Sequence, residues 1–121
     1  MQYYQLPQLE NIYLEDSFVT GIYKSNDALV FNLDVVLTES HPNYEKPLDG
    51  EAYCYKRAKL VFPKISNIEW TNIEIMPSID VNKEVDFGNI DTFVFNNNEY
   101  HLTGGWGEVN IKSEPVNLYF I

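Results

Sequence analysis

The chain has 121 residues, with 18 acidic and 8 basic side chains and a formal net charge of −10. Its length predicts one domain, residues 1–121, built around a single hydrophobic core. A surface of this sign repels phosphate groups, which argues against nucleic-acid binding. The charge serves solubility, or it attracts a partner or substrate that has a basic face.

The composition is typical of a β protein from a reducing compartment. Aromatic residues make up 15% of the chain, and strands favour aromatic and β-branched residues. Cys54 is the single cysteine, which excludes a disulfide within the chain, and its apolar register predicts a core residue. Residues 1–7 lack the basic and apolar regions of a signal peptide, and no apolar run has membrane-spanning length. We therefore expect a cytoplasmic protein without a membrane partner.

The first quarter of the chain predicts a hairpin. A first strand begins at residues 11–14, is interrupted by the acidic corner at residues 15–17, and resumes over residues 18–24. Asn26 lies in a polar turn, because Asn and Asp side chains hydrogen-bond their own backbone and tolerate left-handed angles. Residues 28–38 then return antiparallel to the strand before the turn.

Residues 29–62 are the stretch around which the other elements are organised. Residues 29–37 carry apolar side chains at every odd position, the period of a strand with one buried face. Residues 52–62 form the next strand, whose inward side is predicted to hold Ala52, Cys54, Ala58, Leu60 and Phe62. The opposite side holds Tyr53, Tyr55, Arg57 and Lys59. Between the two strands lies a polar loop, residues 39–51, and unstructured loops of such length are often functional.

The second half of the chain predicts shorter strands. Residues 65–76 form a strand with either a β-bulge or a crossing between sheets, because Ile68 and Trp70 have the opposite parity to Ile73 and Ile75. Residues 78–89 are the least regular part of the chain, where one short helical turn fits.

The last third predicts a second hairpin and two final strands. Residues 92–95 and 99–102 flank three asparagines, a strong turn signal. Residues 104–107 predict a bulge or barrel corner, at which glycines let a buried Trp106 cover the core. Together with strands at 108–112 and 116–120, the pattern predicts an all-β, mainly antiparallel domain. It is either a β-sandwich or a partly open barrel of about seven to nine strands, with at most one short helical turn.

Candidate chemistry is sparse. His41, between Glu39 and Glu45 in the long loop, has the residue types of a general acid or base or of a metal ligand. Its only histidine partner is His101, and two histidines among scattered acids are a weak metal signal, so a solvated loop is the alternative. The sequence has no Gly-x-Ser-x-Gly motif and no phosphate-binding loop. No catalytic residue, metal ligand or cofactor is therefore predicted, and an enzyme is not favoured.

Binding residues are predicted on the loop, on its following strand and at the acidic corner. Tyr53 and Tyr55 share one strand face, which is either an interface or a face packed against a second sheet. The acidic corner is either a contact site or a turn that leads into the strand. The candidate binding residues are Glu15, Asp16, His41, Tyr44, Tyr53 and Tyr55.

Three segments together resemble small bacterial hypothetical proteins of unknown activity. These are Leu14-Glu15-Asp16-Ser17-Phe18-Val19, His41-Pro42-Asn43-Tyr44 with Tyr53-Cys54-Tyr55, and Gly105-Trp106-Gly107-Glu108-Val109. The acidic-serine opening and the closing Gly-x-Trp-Gly-Glu strand also resemble, more distantly, β-rich immunity proteins that neutralise bacterial toxins. The resemblance implies no catalytic or ligand residue.

Two functions follow as hypotheses. The first is a non-enzymatic protein-binding module, in the form of an immunity-type inhibitor of a basic partner. The second is a small-molecule-binding or hydrolytic domain that uses the loop around His41 and Tyr44. Pairing of exposed sheet edges or of the Tyr53 and Tyr55 face would also allow a homodimer.

Overall fold

Alternation of apolar and polar residues produces the two central strands of the fold. The computed structural model describes residues 1–73, 78–79 and 85–121. Its strands are β1 Ile12–Ser25, β2 Ala28–Leu37, β3 Cys54–Phe62, β4 Asn67–Ile73, β5 Ser78–Ile79, β6 Val85–Asp86, β7 Ile90–Asn96, β8 Glu99–Gly104, β9 Gly107–Lys112 and β10 Asn117–Phe120. Two 3-10 turns, Tyr3–Gln5 and Pro7–Leu9, precede β1.

The strands form an open sandwich. Within the described residues, the first sheet has the strand order β1-β2-β3-β10, and the second has the order β4-β9-β8-β7. All of their pairings are antiparallel, which confirms the all-β prediction and decides for the sandwich over the barrel. Strands β5 and β6 pair separately, and the residues between them, on which the predicted helical turn falls, lie outside the described part. No helix in the described ranges is long and apolar enough to cross a membrane.

The core lies between the two sheets and is largely aromatic. Phe31 and Phe62 of the first sheet meet Phe93, Tyr100 and Trp106 of the second, with ring centroids 5.1–5.8 Å apart. Such tilted and edge-on pairs add about 0.5–1.5 kcal/mol each beyond the area they bury. Cys54 is buried and not bonded to another cysteine, as predicted for a core residue.

The glycine-rich segment is a hairpin turn. Gly104 of β8 pairs with Gly107 of β9, and the two residues between them form the turn. The predicted burial of Trp106 is confirmed, because its side chain is 0% exposed. The predicted bulge or barrel corner is wrong, because the chain reverses at this point and both strands stay in the same sheet.

The acidic corner is a bulge inside a continuous strand. Tyr13 pairs with Val36 and Phe18 pairs with Asp34, so four residues of β1 lie opposite one residue of β2. The hydroxyl of Ser17 donates to the carbonyl oxygen of Tyr13 (2.7 Å) and accepts from the N–H of Val36 (2.9 Å). These two bonds satisfy backbone groups that the bulge takes out of the ladder. The predicted interruption of the strand is therefore wrong, although the hairpin from residue 18 onwards is confirmed.

Strand β3 begins two residues later than the sequence predicts. Its first ladder pair is Cys54 with Leu37, and Ala52 is exposed. The prediction that Ala52 belongs to the inward side is wrong, because strand β2 ends at Leu37 and offers no partner beyond it. The bulge predicted in β4 is confirmed as a shift of register between Trp70 and Asn72.

The N-terminal turns are attached to the bulge by Tyr3. Its buried hydroxyl donates to Oε2 of Glu15 (2.6 Å) and accepts from the N–H of Leu14 (3.0 Å). Burial, and then the bond to Glu15, raise the pKa of Tyr3 well above its ordinary value of 10.0. The neutral hydroxyl is thus the form that the fold requires.

We predict that Tyr3→Phe lowers the free energy of unfolding by about 1–3 kcal/mol near neutral pH, because the buried N–H of Leu14 loses its acceptor. In the wild type, the unfolded tyrosine ionises above pH 10.0 while the folded one stays neutral, so this contribution declines as the pH rises further. Urea unfolding of both proteins at about pH 7 and about pH 11 measures the difference. A difference that stays constant across that range would contradict the assigned role.

Candidate functional site

The outer side of the first sheet exposes a set of aromatic side chains. Val30 pairs with Tyr23, and Val36 pairs with Tyr13 on one side and with Tyr55 on the other. The side chains of paired residues lie on the same side of a sheet, and here that side faces away from the core. Phe18 and Tyr119 reach the same side through their pairings with Asp34 and Lys59. We call this surface, with Tyr53 just before β3, the aromatic face; its members are Tyr13, Phe18, Tyr23, Tyr53, Tyr55 and Tyr119.

Ring contacts hold part of the aromatic face in place. The rings of Phe18 and Tyr55 stack with centroids 5.7 Å apart, and Tyr53 lies edge-on to Tyr55 at 6.2 Å. The Nζ of Lys59 lies 5.8 Å from the ring centroid of Tyr23, a cation–π contact. Tyr53 is nevertheless 43% exposed and Tyr119 is 56% exposed. Several large rings are thus both ordered and accessible, which is the combination found at protein interfaces.

The loop between β2 and β3, residues 38–53, is built from successive turns along one end of this face. The N–H of His41 donates to the carbonyl oxygen of Thr38, and the N–H of Tyr44 to that of His41, each at 3.0 Å. The side chain of Tyr44 packs against the core, and an ion pair of 3.0 Å joins Glu45 to Lys56 of β3. Because Glu45 is largely exposed, that ion pair contributes at most about 1 kcal/mol. The packing of Tyr44 thus contributes to holding the loop in place.

A groove of about 460 Å³ lies where the loop meets the aromatic face. We call it the tyrosine groove. Tyr13 of β1 and Tyr44 and Tyr53 of the loop line it, and Val36, a buried residue on the same side of the sheet as Tyr13, adds an apolar surface. The charged residues among its lining are Asp16 and Glu39, both carboxylates.

The surroundings of Tyr55 show the same sign of charge. Burial raises the pKa of the Tyr55 hydroxyl. Nearby carboxylates raise this pKa further, and the effect of Asp16 is larger than those of Glu51 and Asp34. Negative charge therefore gathers at the end of the aromatic face that holds the groove. Arg57 and Lys59, by contrast, line a separate hollow of about 380 Å³ beside Asn32.

The structure brings together some of the predicted binding residues. Asp16, Tyr44 and Tyr53 line the tyrosine groove, and Tyr55 adjoins it through its contact with Tyr53. The carboxylate of Glu15, in contrast, accepts the hydrogen bond from Tyr3, so its side chain belongs to the scaffold.

His41 lies outside the tyrosine groove. Its Nδ1 accepts from the N–H of Asn43 (3.0 Å), and its ring packs edge-on against Phe120 with centroids 5.1 Å apart. Burial lowers the pKa of the imidazole, which favours its neutral form. One ring nitrogen is thus used inside the loop, and the ring itself joins the loop to β10. In the part of the chain that the structure describes, no three His, Cys, Asp or Glu side chains are grouped to hold a metal ion.

Sequence reasoning missed Tyr13, Phe18, Tyr23 and Tyr119 as members of the face. A signal for Tyr13 was present, because it stands between Ile12 and Leu14, which point inward. Phe18 has even numbering and Tyr13 odd numbering, and only the bulge between them brings both to the same side.

Comparison with protein-family models, with curated proteins and with solved structures finds no match to this chain.

Proposed function

We propose that this protein is a non-enzymatic protein-binding module that docks a basic protein on its aromatic face. The observation that carries the proposal is the exposure of Tyr13, Phe18, Tyr53 and Tyr119 on one side of one sheet. Aromatic side chains dominate the binding energy of most protein interfaces, whereas isolated exposed rings are ordinary surface. Their concentration on the first sheet supports an interface there.

The net charge of the chain supports a partner that is basic. A net charge of −10 attracts a basic protein over a distance of about one Debye length, roughly 8 Å at physiological salt. We propose that the protein acts in the cytoplasm. Inhibition of a basic toxin, which the sequence resemblance implies, is the particular form of the function to be tested.

Capture from the native cytoplasm, followed by mass spectrometry, identifies the partner, and calorimetry then measures its affinity. We expect Phe18→Ala to weaken binding about tenfold or more, the loss of a central aromatic contact. Tyr4→Ala is the matched control, because Tyr4 is an aromatic residue 56% exposed in the first 3-10 turn, outside the face. We also expect the association rate to fall as salt is added. Equal effects of the two variants, or no basic partner at micromolar concentration, would refute the proposal.

A small-molecule site is the second candidate. A hollow of about 360 Å³ lies on the loop's other side, lined by Tyr44, Lys56, Arg57 and Phe120 among others, and its volume is within the range of ligand sites. The ring of His41 contacts Phe120 at its border. Screening of small metabolites by thermal shift tests this candidate, and a hit that Tyr44→Phe leaves unchanged would locate the ligand elsewhere.

A second copy of this chain is another candidate partner for the aromatic face. Light scattering over a concentration series measures self-association, and a monomer at every concentration excludes a homodimer.

A further inference from the structure

We infer that the tyrosine groove receives a basic side chain, lysine or arginine, from the partner protein. This inference rests on the proposed function and names the contact that recognises the basic partner. It locates that contact at one end of the aromatic face, where β1, the loop and the start of β3 meet.

The groove has the parts that a long basic side chain requires. Val36, a buried residue on the outer side of the sheet, offers an apolar surface on which the methylene stem can lie. Tyr13 and Tyr53 bring exposed rings to the walls, and a cation over a tyrosine ring is attracted by the negative face of its π-system. The side chain would therefore be received along its whole length.

The carboxylates of the groove favour a ligand with positive charge. Asp16 and Glu39 are the charged groups that line the groove, and a bound anion would be repelled by both. An apolar side chain would remove water from these carboxylates without offering a hydrogen bond, which is costly. An ammonium or guanidinium group instead forms charge-assisted hydrogen bonds with them.

The preference for a positively charged ligand is confined to the groove end of the aromatic face. Arg57 and Lys59 line a different hollow, together with Asn32 and Asp34 of β2. The face is thus divided into an anionic end, at the groove, and a mixed centre. Such a division fixes the orientation of a partner, because only one end accepts its basic side chain.

The probes for the test are the capped amino acids N-acetyl-arginine amide and N-acetyl-lysine amide. N-acetyl-citrulline amide, which matches arginine in shape but has no charge, is the neutral control. We expect the two cationic probes to shift the NMR ring signals of Tyr13, Tyr44 and Tyr53 saturably, with dissociation constants on the order of 1 mM. We expect added salt to weaken this binding. Binding of the citrulline probe at equal strength would overturn the inference.

Matched variants locate the site. The double variant Asp16→Asn, Glu39→Gln keeps the side-chain shapes, and we expect it to weaken binding of the cationic probes about tenfold or more. Asp91→Asn, which changes an exposed carboxylate on β7 of the second sheet, should leave their affinity unchanged. Tyr53→Leu keeps apolar bulk at an exposed position and should weaken binding by removing the ring. Probe binding that survives both the double variant and Tyr53→Leu would overturn the inference.

Binding of the captured partner separates the inference from the function on which it rests. If Phe18→Ala abolishes partner binding and the double variant does not, the binding module stands and the groove inference fails. If the probes bind in the groove but no protein partner exists, the proposed function fails, and with it the assignment of the groove to a partner's side chain. Loss of both partner and probe binding in the double variant, in a protein that stays folded, supports the inference.

Discussion

Replacing Trp106 by alanine is expected to lower the free energy of unfolding by about 3–5 kcal/mol. The indole is 0% exposed, packs edge-on against Phe31 at 5.1 Å and Trp70 at 6.2 Å, and donates to the carbonyl oxygen of Asn89 (3.2 Å). Truncation leaves a cavity between the two sheets and removes that hydrogen bond. Because a domain of this size has a total stability of about 5–15 kcal/mol, the melting temperature should fall sharply. Calorimetry or circular dichroism measures it.

Tyr119→Ala is the control for that measurement. It removes an aromatic side chain that is 56% exposed, and we expect a change within about 0.5 kcal/mol. If Trp106→Ala melts like the wild type and binding of a partner is lost instead, then Trp106 is a binding residue. Its assignment to the core would be wrong.

Replacing Gly104 by alanine should lower the free energy of unfolding by about 3 kcal/mol or more, the upper end of the range for overpacking. A methyl group at this position would overlap both the backbone oxygen of Asn89 and the indole nitrogen of Trp106. The first is a backbone oxygen that accepts the hydrogen bond from Trp106, and the second belongs to a fully buried ring, so neither can move away cheaply. Chemical denaturation of the variant measures the loss.

Gly50→Ala separates steric overlap from the backbone freedom of glycine. Gly50 has a φ of +87° and nothing within 4 Å of the position of a Cβ atom, so its substitution strains the backbone alone. That strain amounts to about 1–2 kcal/mol. A loss at Gly104 no larger than the loss at Gly50 would contradict the packing between this glycine and Trp106.

The strands that the sequence predicts correctly are those whose signals are local. In β2 and β3 the apolar side chains recur with a period of two, and the side chains at those positions are buried. The hairpin between β7 and β8 carries asparagines where the chain needs positive φ, and Asn97 and Asn98 have values of 53° and 61°. Both signals act within a few residues, so no knowledge of the fold is needed to interpret them.

Two of the wrong predictions have a different cause. Strand β1 continues through residues 15–17 because the hydroxyl of Ser17 bonds to two backbone groups, one of them in the neighbouring strand. Ala52 lies outside the core because β2 ends at Leu37 and leaves it without a partner. In both cases the outcome depends on a second strand, whose register the local pattern does not specify.

The amino-acid sequence by itself determined an acidic, aromatic-rich, antiparallel β domain with a buried Trp106, and it identified Asp16, Tyr44 and Tyr53 as candidates for binding. Only the tertiary structure decided that these three side chains line one groove, that Glu15 bonds to Tyr3 and that His41 packs on Phe120. The physical reason is that burial patterns and turn preferences arise from neighbours along the chain. The side of the sheet on which Tyr13 and Phe18 lie follows from the β-bulge between them, which forms only when β1 pairs with β2.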